Sequence, residues 1–79
     1  MRDQVRPKPQ GHRPKPIGII GLGIMGSAMA ANLMQTGFGV IGYDVLAARR
    51  RDHAKAGGRA ARSARDVGAA ADIVICSLP

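Results

Sequence analysis

The feature that most constrains the fold is a glycine pattern that directly follows a short apolar run. Ile17 to Ile20 is largely apolar and of strand length, and Gly21, Gly23 and Gly26 follow it with the spacing G-x-G-x-x-G. Glycine permits a tight bend at the first position, close approach of a ligand at the second, and close helix packing at the third. The N–H groups of the following helical turn then face an anion, so the pattern predicts a dinucleotide-binding turn.

The rest of the chain alternates between helix-like and strand-like segments. Met25, Met29 and Leu33 recur on one face of a helix that is expected to end near Thr36, where Gly37 stops it. Further along we predict a strand over residues 39–44, a charged helix over 46–56, a short edge strand over 59–62, a capped helix over 63–71 and a strand over 73–78. This order predicts an α/β fold, a partial Rossmann fold whose parallel sheet has three to four strands in the order 3-2-1-4.

In that strand order the first and fourth strands are neighbours. The connections from these two strands lead to opposite sides of the sheet, and ligands bind in the crevice at the carboxyl ends of the two strands. Residues 21–26 should therefore lie beside residues 77–79. Residues 73–78 form a continuous apolar run, typical of a parallel strand covered on both faces, and Cys76 within it is predicted to be buried. Because the sequence stops at Pro79, the fourth strand is also expected to leave an open sheet edge.

Asp44 ends the predicted second strand and is the second indication of a nucleotide site. An acidic residue at this place accepts hydrogen bonds from the adenosine ribose hydroxyls, whereas a 2′-phosphate would meet a like charge. Asp44 therefore favours NAD over NADP as the cofactor. Arg49, Arg50 and Arg51 leave the alternative open, since an arginine after the second strand can bind a 2′-phosphate. We interpret the three arginines as a solvated helix face.

Positive charge is concentrated at the N-terminus. Residues 1–16 contain five Lys or Arg, one acid and four prolines, and so carry a net +4 of the whole chain's +7. Proline interrupts helices and sheets and like charges repel, so we predict a disordered basic tail over residues 1–16 and a domain over residues 17–79. The tail lacks interleaved aromatic residues and any reader motif, so no nucleic-acid partner is expected.

The uncharged run over residues 16–43 admits another interpretation, a secretory signal or a membrane anchor. The basic stretch precedes it, and Ala28-Met29-Ala30 has the form of a cleavage site. Its seven glycines and its division into strand, turn and helix lengths argue against both, so no membrane association is expected. The single cysteine excludes an internal disulfide and indicates a reducing, cytoplasmic location. His12 and His53 have no metal-ligand spacing around them, so no metal site is predicted.

Three stretches resemble the β-hydroxyacid dehydrogenase family, to which 3-hydroxyisobutyrate dehydrogenase and tartronate semialdehyde reductase belong. They are G-L-G-I-M-G-S-A-M-A-A-N-L at residues 21–33, Y-D at residues 43–44 and A-D-I-V-I-C-S-L-P at residues 71–79. After the bend at Gly21, the resemblance implies a pyrophosphate lined by Leu22, Gly23, Ile24, Met25 and Gly26. It places the adenosine ribose at Asp44, and the nicotinamide half at Leu78 and Pro79, with Ser77 beside the turn.

By the same resemblance, the full enzyme transfers a hydride between a nicotinamide and a 3-hydroxy acid or semialdehyde, and it is a homo-oligomer. The family's catalytic lysine, within G-x-x-G-x-G-x-x-x-K, and its helical C-terminal domain have no counterpart in these 79 residues. The chain alone is therefore expected to be a truncated, inactive cofactor-binding part with no catalytic residue of its own. The alternatives are a free-standing nucleotide-binding module without catalysis and an exported or membrane-anchored peptide.

Overall fold

The computed structural model describes residues 14–78, which form a four-stranded parallel sheet flanked by three helices. In chain order the elements are β1 (Ile17–Ile20), α1 (Ile24–Gln35), β2 (Val40–Tyr43), α2 (Ala47–Lys55), β3 (Arg59–Ala60), α3 (Ala64–Ala70) and β4 (Ile73–Cys76). Every predicted element is present, and its ends differ from the predicted ones by at most two residues. Most of the predicted tail, residues 1–13, lies outside the described residues, so its disorder stays a prediction.

The sheet has the order β3-β2-β1-β4 with every neighbouring pair parallel, which confirms the predicted order 3-2-1-4. The last residue of β1, Ile20, is in register with Tyr43 of β2 and Cys76 of β4. Because the three strands end level with one another, whatever follows each of them meets at the same sheet edge. The glycine-rich turn, Asp44 and Ser77 are brought together in this way.

Helices cover both faces of the sheet. On the face of α1, the buried cluster consists of Ile19, Leu22, Ala30 and Val40. On the face of α3, it consists of Ile41, Ala61, Val67 and Ala71. Small residues allow close contact between the layers: a Cβ on Gly18 would lie 2.5 Å from Cγ1 of Val67. This is the doubly wound arrangement predicted by the alternation of strands and helices.

A buried histidine anchors α2 to the sheet. His53 is 5% exposed, and its ring fills space left by two glycines. A Cβ on Gly58 would overlap the ring, and one on Gly42 would lie 3.0 Å from Nε2. Burial lowers the pKa of His53 because it penalises the charged form, while the backbone at Val40 and Arg59 acts in the opposite direction. His53 is therefore a neutral packing residue.

The prediction that β4 is covered on both faces and that Cys76 is buried was wrong. Ile73 is 59% exposed, and Cys76 is exposed as well. The reason is position, because β4 is an edge of the described sheet and only Ile75 of this strand packs against a core cluster. Among residues 14–78, no strand pairs with the outer side of β4, so the expected open edge is present in this part of the chain.

The uncharged run of residues 16–43 folds as β1, α1 and β2, not as one continuous helix. Its helical part, α1, has 12 residues. At 1.5 Å per residue a helix of that length covers about 18 Å, well short of the hydrocarbon core of a bilayer, about 30 Å. Within residues 14–78, no helix has the length and apolar character needed to cross a membrane.

Candidate functional site

The glycine-rich turn joins β1 to α1, and its geometry requires two of the glycines. Gly21 has φ of +100°, a left-handed conformation, and a Cβ there would overlap the carbonyl of Ser77. A Cβ on Gly26 would overlap the carbonyl of Gly21, so α1 can lie this close only without a side chain there. The turn is also bound to β2, because the Gly21 N–H donates to the Tyr43 carbonyl at 2.8 Å.

The first turn of α1 presents backbone N–H groups that no capping side chain satisfies. Its N-cap is Gly23, and no acidic residue lies in the first turn. The hydroxyl of Ser27 points back to the Gly23 carbonyl at 2.7 Å, so it does not cap these N–H groups either. With the positive end of the helix dipole behind them, the free N–H groups form a site for an anion such as a phosphate.

Asp44 follows β2 and directs its carboxylate toward the glycine-rich turn. It is 6% exposed, and its oxygens accept hydrogen bonds from the backbone N–H groups of Leu22 and Leu46, each at 2.9 Å. The Leu46 N–H is the main cause of a lowered pKa at Asp44; Leu22 and Arg49 act in the same direction and burial opposes them. A carboxylate has about four acceptor positions, so Asp44 can brace the turn and still accept from ligand hydroxyls.

Two of the three consecutive arginines on α2 contact the site. Nη1 of Arg49 lies 3.6 Å from Oδ2 of Asp44 and 3.3 Å from the point that a Cβ on Gly23 would occupy. Arg50 instead donates to the backbone carbonyl of Asp44 at 2.7 Å. The interpretation of these arginines as one solvated face is therefore wrong for Arg50, which is half-buried, whereas Arg49 is exposed and still reaches the Asp44 carboxylate. The interpretation holds for Arg51, which is exposed.

These groups surround one cavity of about 570 Å³ at the carboxyl edge of the sheet. Pockets for small molecules commonly measure roughly 300–1,000 Å³, so this one is large enough for a cofactor. The lining residues are Ile20, Gly21, Gly23, Ile24, Met25, Tyr43, Asp44, Val45, Leu46, Arg49, Ser77 and Leu78. The walls are mainly apolar, with the carboxylate of Asp44 and the guanidinium of Arg49 as their charged groups.

The structure brings most of the predicted site residues together. Those that line the cavity are Gly21, Gly23, Ile24, Met25, Asp44, Ser77 and Leu78. Two others support it from behind: the side chain of Leu22 is buried while its N–H binds Asp44, and Gly26 lets α1 approach. Pro79 lies outside the described residues. The expected proximity of the glycine turn to the end of the fourth strand is confirmed for Ser77 and Leu78.

Sequence reasoning missed four lining residues, namely Ile20, Tyr43, Val45 and Leu46, and included Arg49 only in the alternative of a 2′-phosphate site. Val45 and Leu46 did carry a signal, because they are an apolar pair placed directly between Asp44 and a charged helix. In the structure they are 78% and 51% exposed and form an apolar wall. Its place after the second strand indicates Arg49 no more than Arg50 or Arg51, so the sequence does not single out Arg49. It faces the sheet because it lies one helical turn before the buried His53, and that rotation of α2 is set by packing.

The arrangement suits a ligand with anionic, hydroxyl-bearing and flat apolar parts. The first turn of α1 can hold a phosphate, and Asp44 can accept hydrogen bonds from neighbouring hydroxyls. Val45 and Leu46 can pack on a planar ring from the open side of the cavity. A dinucleotide contains all three parts, so the residues present fit a cofactor such as NAD.

Comparison with known proteins agrees with this geometry. A family model described as the NAD binding domain of 6-phosphogluconate dehydrogenase matches residues 16–79. Mitochondrial 3-hydroxyisobutyrate dehydrogenase of Homo sapiens is 44% identical over 64 residues, which are 81% of this chain and 19% of that protein. NAD-dependent L-serine dehydrogenase of Pseudomonas aeruginosa is 45% identical over 65 residues, 82% of this chain and 22% of that protein. The chain thus spans about a fifth of the length of these curated relatives.

Solved structures show the same likeness. The 3-hydroxyisobutyrate dehydrogenase of Mycobacterium tuberculosis with L-serine matches with a TM-score of 0.78 and 39% identity, over 85% of this chain and 23% of that one. A variant imine reductase from Myxococcus stipitatus in complex with NAD+ matches with a TM-score of 0.77 and 30% identity, again over 85% and 23%. Both matches support the partial Rossmann fold.

Proposed function

The chain belongs to the family described as the NAD binding domain of 6-phosphogluconate dehydrogenase, and from this premise we propose that it binds NAD as the cofactor-binding part of a hydroxyacid dehydrogenase. The observation that carries the proposal is the single cavity that unites the glycine-rich turn, the uncapped start of α1 and Asp44. In this proposal the pyrophosphate lies against residues 22–26 and the adenosine ribose against Asp44. The nicotinamide half lies toward residues 77–79.

Each part of the site has a separate task in this proposal. The first-turn N–H groups of α1 hold the pyrophosphate, and Gly23 lets it approach the backbone without a Cβ in the way. Asp44 accepts hydrogen bonds from the ribose hydroxyls, while Val45 and Leu46 pack beside the adenine. When bound, the nicotinamide supplies the hydride chemistry, and this chain's residues bind and orient the cofactor.

The reaction that we propose for the whole enzyme is hydride transfer between nicotinamide and a 3-hydroxy acid or semialdehyde. The relatives named as 3-hydroxyisobutyrate and 2-(hydroxymethyl)glutarate dehydrogenases support this substrate class, although the chain corresponds to only 19% and 21% of their lengths. No lysine follows the glycines of these 79 residues at the spacing of the family's catalytic segment. We therefore propose that this chain alone binds the cofactor without turning over a substrate. The cytoplasmic location of the chain, and its division into a tail over residues 1–16 and a domain over residues 17–79, stay predictions.

Calorimetric titration of the full chain with NAD and NADP tests the proposal. Wild type should bind NAD more tightly than NADP, because Asp44 accepts from a free 2′-hydroxyl and repels a 2′-phosphate. Asp44→Asn keeps one acceptor oxygen and should lose roughly 10- to 100-fold in NAD affinity, with a smaller loss for NADP, since a hydrogen bond to a charged group contributes about 1.5–3 kcal/mol. Asp52→Asn, an equal charge change on the exposed side of α2, should leave both affinities unchanged. Failure of wild type to bind NAD would refute the proposed function, and equal losses for both cofactors would refute the role of Asp44.

A further inference from the structure

One guanidinium group holds the backbone where β2 ends. Nη1 of Arg50 donates to the carbonyl of Asp44 at 2.7 Å and to the carbonyl of Val45 at 3.2 Å. The same guanidinium lies over the ring of Tyr43, with its central carbon 5.7 Å from the ring centroid, within the range of a cation–π contact. Arg50 is therefore half-buried against three consecutive residues, whereas its neighbour Arg51 is exposed.

Those three residues all line the cavity, while Arg50 is not a lining residue. Two hydrogen bonds from one nitrogen to successive carbonyls restrict rotation of the peptide between Asp44 and Val45. Rotation of that peptide would move the Asp44 carboxylate away from the turn and the Val45 side chain away from the cavity. The two arginines have different roles, because Arg49 is paired with the Asp44 carboxylate, whereas the hydrogen bonds of Arg50 go to the main chain beside it.

We infer that Arg50 is a positioning residue for the adenosine end of the cofactor site. It holds the Asp44–Val45 backbone in the conformation that the ribose and adenine require, without touching the cofactor. This inference rests on the proposed function, since it presupposes that the adenosine half of NAD lies against Asp44 and Val45. The contact needs an arginine six residues after the acid that ends β2, as this sequence has.

A purely structural role for Arg50 would have a different signature. Loss of folding stability weakens every ligand of the site by the same factor, because only the folded fraction binds. Loss of positioning weakens only ligands that touch Asp44 and Val45. Adenosine monophosphate contains that half of NAD, and nicotinamide mononucleotide contains the other half. The ratio of the two affinities therefore separates the two roles.

The test is an NMR titration of the full chain and its variants with NAD, adenosine monophosphate and nicotinamide mononucleotide. Arg50→Gln should weaken the binding of adenosine monophosphate roughly five- to tenfold, the scale of one ordinary hydrogen bond because the effect is indirect. It should weaken the binding of nicotinamide mononucleotide less than about twofold. Arg50→Lys keeps the charge and one donor to a carbonyl, so it should recover part of the lost affinity. Arg51→Gln removes the same charge from the exposed neighbour and should change neither affinity by more than about twofold.

Three outcomes would count against the inference, and they differ from a failure of the proposed function. Equal loss of both fragments in Arg50→Gln would make Arg50 a structural residue only. Unchanged binding of adenosine monophosphate in both Arg50 variants would remove any role in the site. An equal loss of affinity in Arg51→Gln would mean that the loss comes from removing a positive charge and not from the position of Arg50. By contrast, a wild-type chain that binds neither NAD nor adenosine monophosphate would refute the proposed function itself, and the inference with it.

Discussion

Replacing Asp44 with alanine removes the acceptor for two backbone N–H groups, and the cost follows from their surroundings. The bond from the Leu22 N–H is buried and the bond from the Leu46 N–H is partly buried, both at 2.9 Å. The pairing with Arg49 at 3.6 Å adds little, because that arginine is 48% exposed and screened by water. Hydrogen bonds to a charged group contribute about 1.5–3 kcal/mol each, so the loss of two in Asp44→Ala should lower the free energy of unfolding by about 3–6 kcal/mol at neutral pH.

A loss of that size is comparable to the whole stability of about 3–5 kcal/mol that a core this small supplies. Asp44→Ala should therefore lose cooperative unfolding altogether. Asp44→Asn keeps one acceptor oxygen and should lose about 1.5–3 kcal/mol, the value of one such bond. Urea denaturation followed by far-UV circular dichroism measures both losses. The matched control is Asp52→Asn on the exposed side of α2, which should stay within about 0.5 kcal/mol of wild type.

The same carboxylate should make stability depend on pH in acid. The pKa of Asp44 is lowered in the folded chain, chiefly because the Leu46 N–H donates to the carboxylate. Its stabilisation is complete above the unfolded-state pKa, about 3.9, and is lost as the pH falls through the lower folded-state pKa. Asp44→Asn should therefore flatten the decline of stability below about pH 4. If Asp44→Ala were as stable as wild type, or if the stability of Asp44→Asn fell in acid as steeply as that of wild type, Asp44 would not be the acceptor that stabilises the turn.

Three further predictions concern packing, a buried titratable group and the open edge. Gly26→Ala should destabilise the chain by about 3 kcal/mol or more in thermal melts, because its Cβ would overlap a backbone carbonyl. Gly68→Ala, where a Cβ meets nothing within 4 Å, should stabilise α3 by about 0.5–1 kcal/mol. If Gly26→Ala were the more stable of the two variants, the close approach of α1 would be contradicted. Burial lowers the pKa of His53, so the unfolded chain takes up its proton first and stability should fall as the pH drops below about 6.5. Urea unfolding at neutral and mildly acidic pH should show a shallower fall in His53→Gln than in wild type; equal falls in both would contradict the buried, neutral state. Cys76 should react with a maleimide in the folded chain nearly as fast as in urea, and strong protection would contradict its exposure.

Much of the fold could be predicted because the signals for its elements are local. The left-handed bend at Gly21 tolerates few other residues, and the helix predicted over residues 63–71 is capped by Ser63, whose hydroxyl accepts from the Asp66 N–H. The exposure of β4 could not be predicted in the same way. A continuous apolar run indicates a parallel strand, but it does not say how many neighbours the strand has. Cys76 is exposed because the described sheet ends at β4.

The sequence by itself determined the order of strands and helices, the glycine-rich turn and the acid at the end of β2, because each depends on residues close together in the chain. Only the tertiary structure decided what Asp44 does in the folded state. Its carboxylate accepts from the N–H of Leu22, 22 residues earlier, and so braces the same turn that the glycines shape. The tertiary structure also turned Arg49 toward the carboxylate and Arg50 toward the carbonyls beside it. The rotation of α2 that places them is set by packing of the buried His53 ring against Gly42 of β2 and Gly58, which is decided only when the helix lies on the sheet.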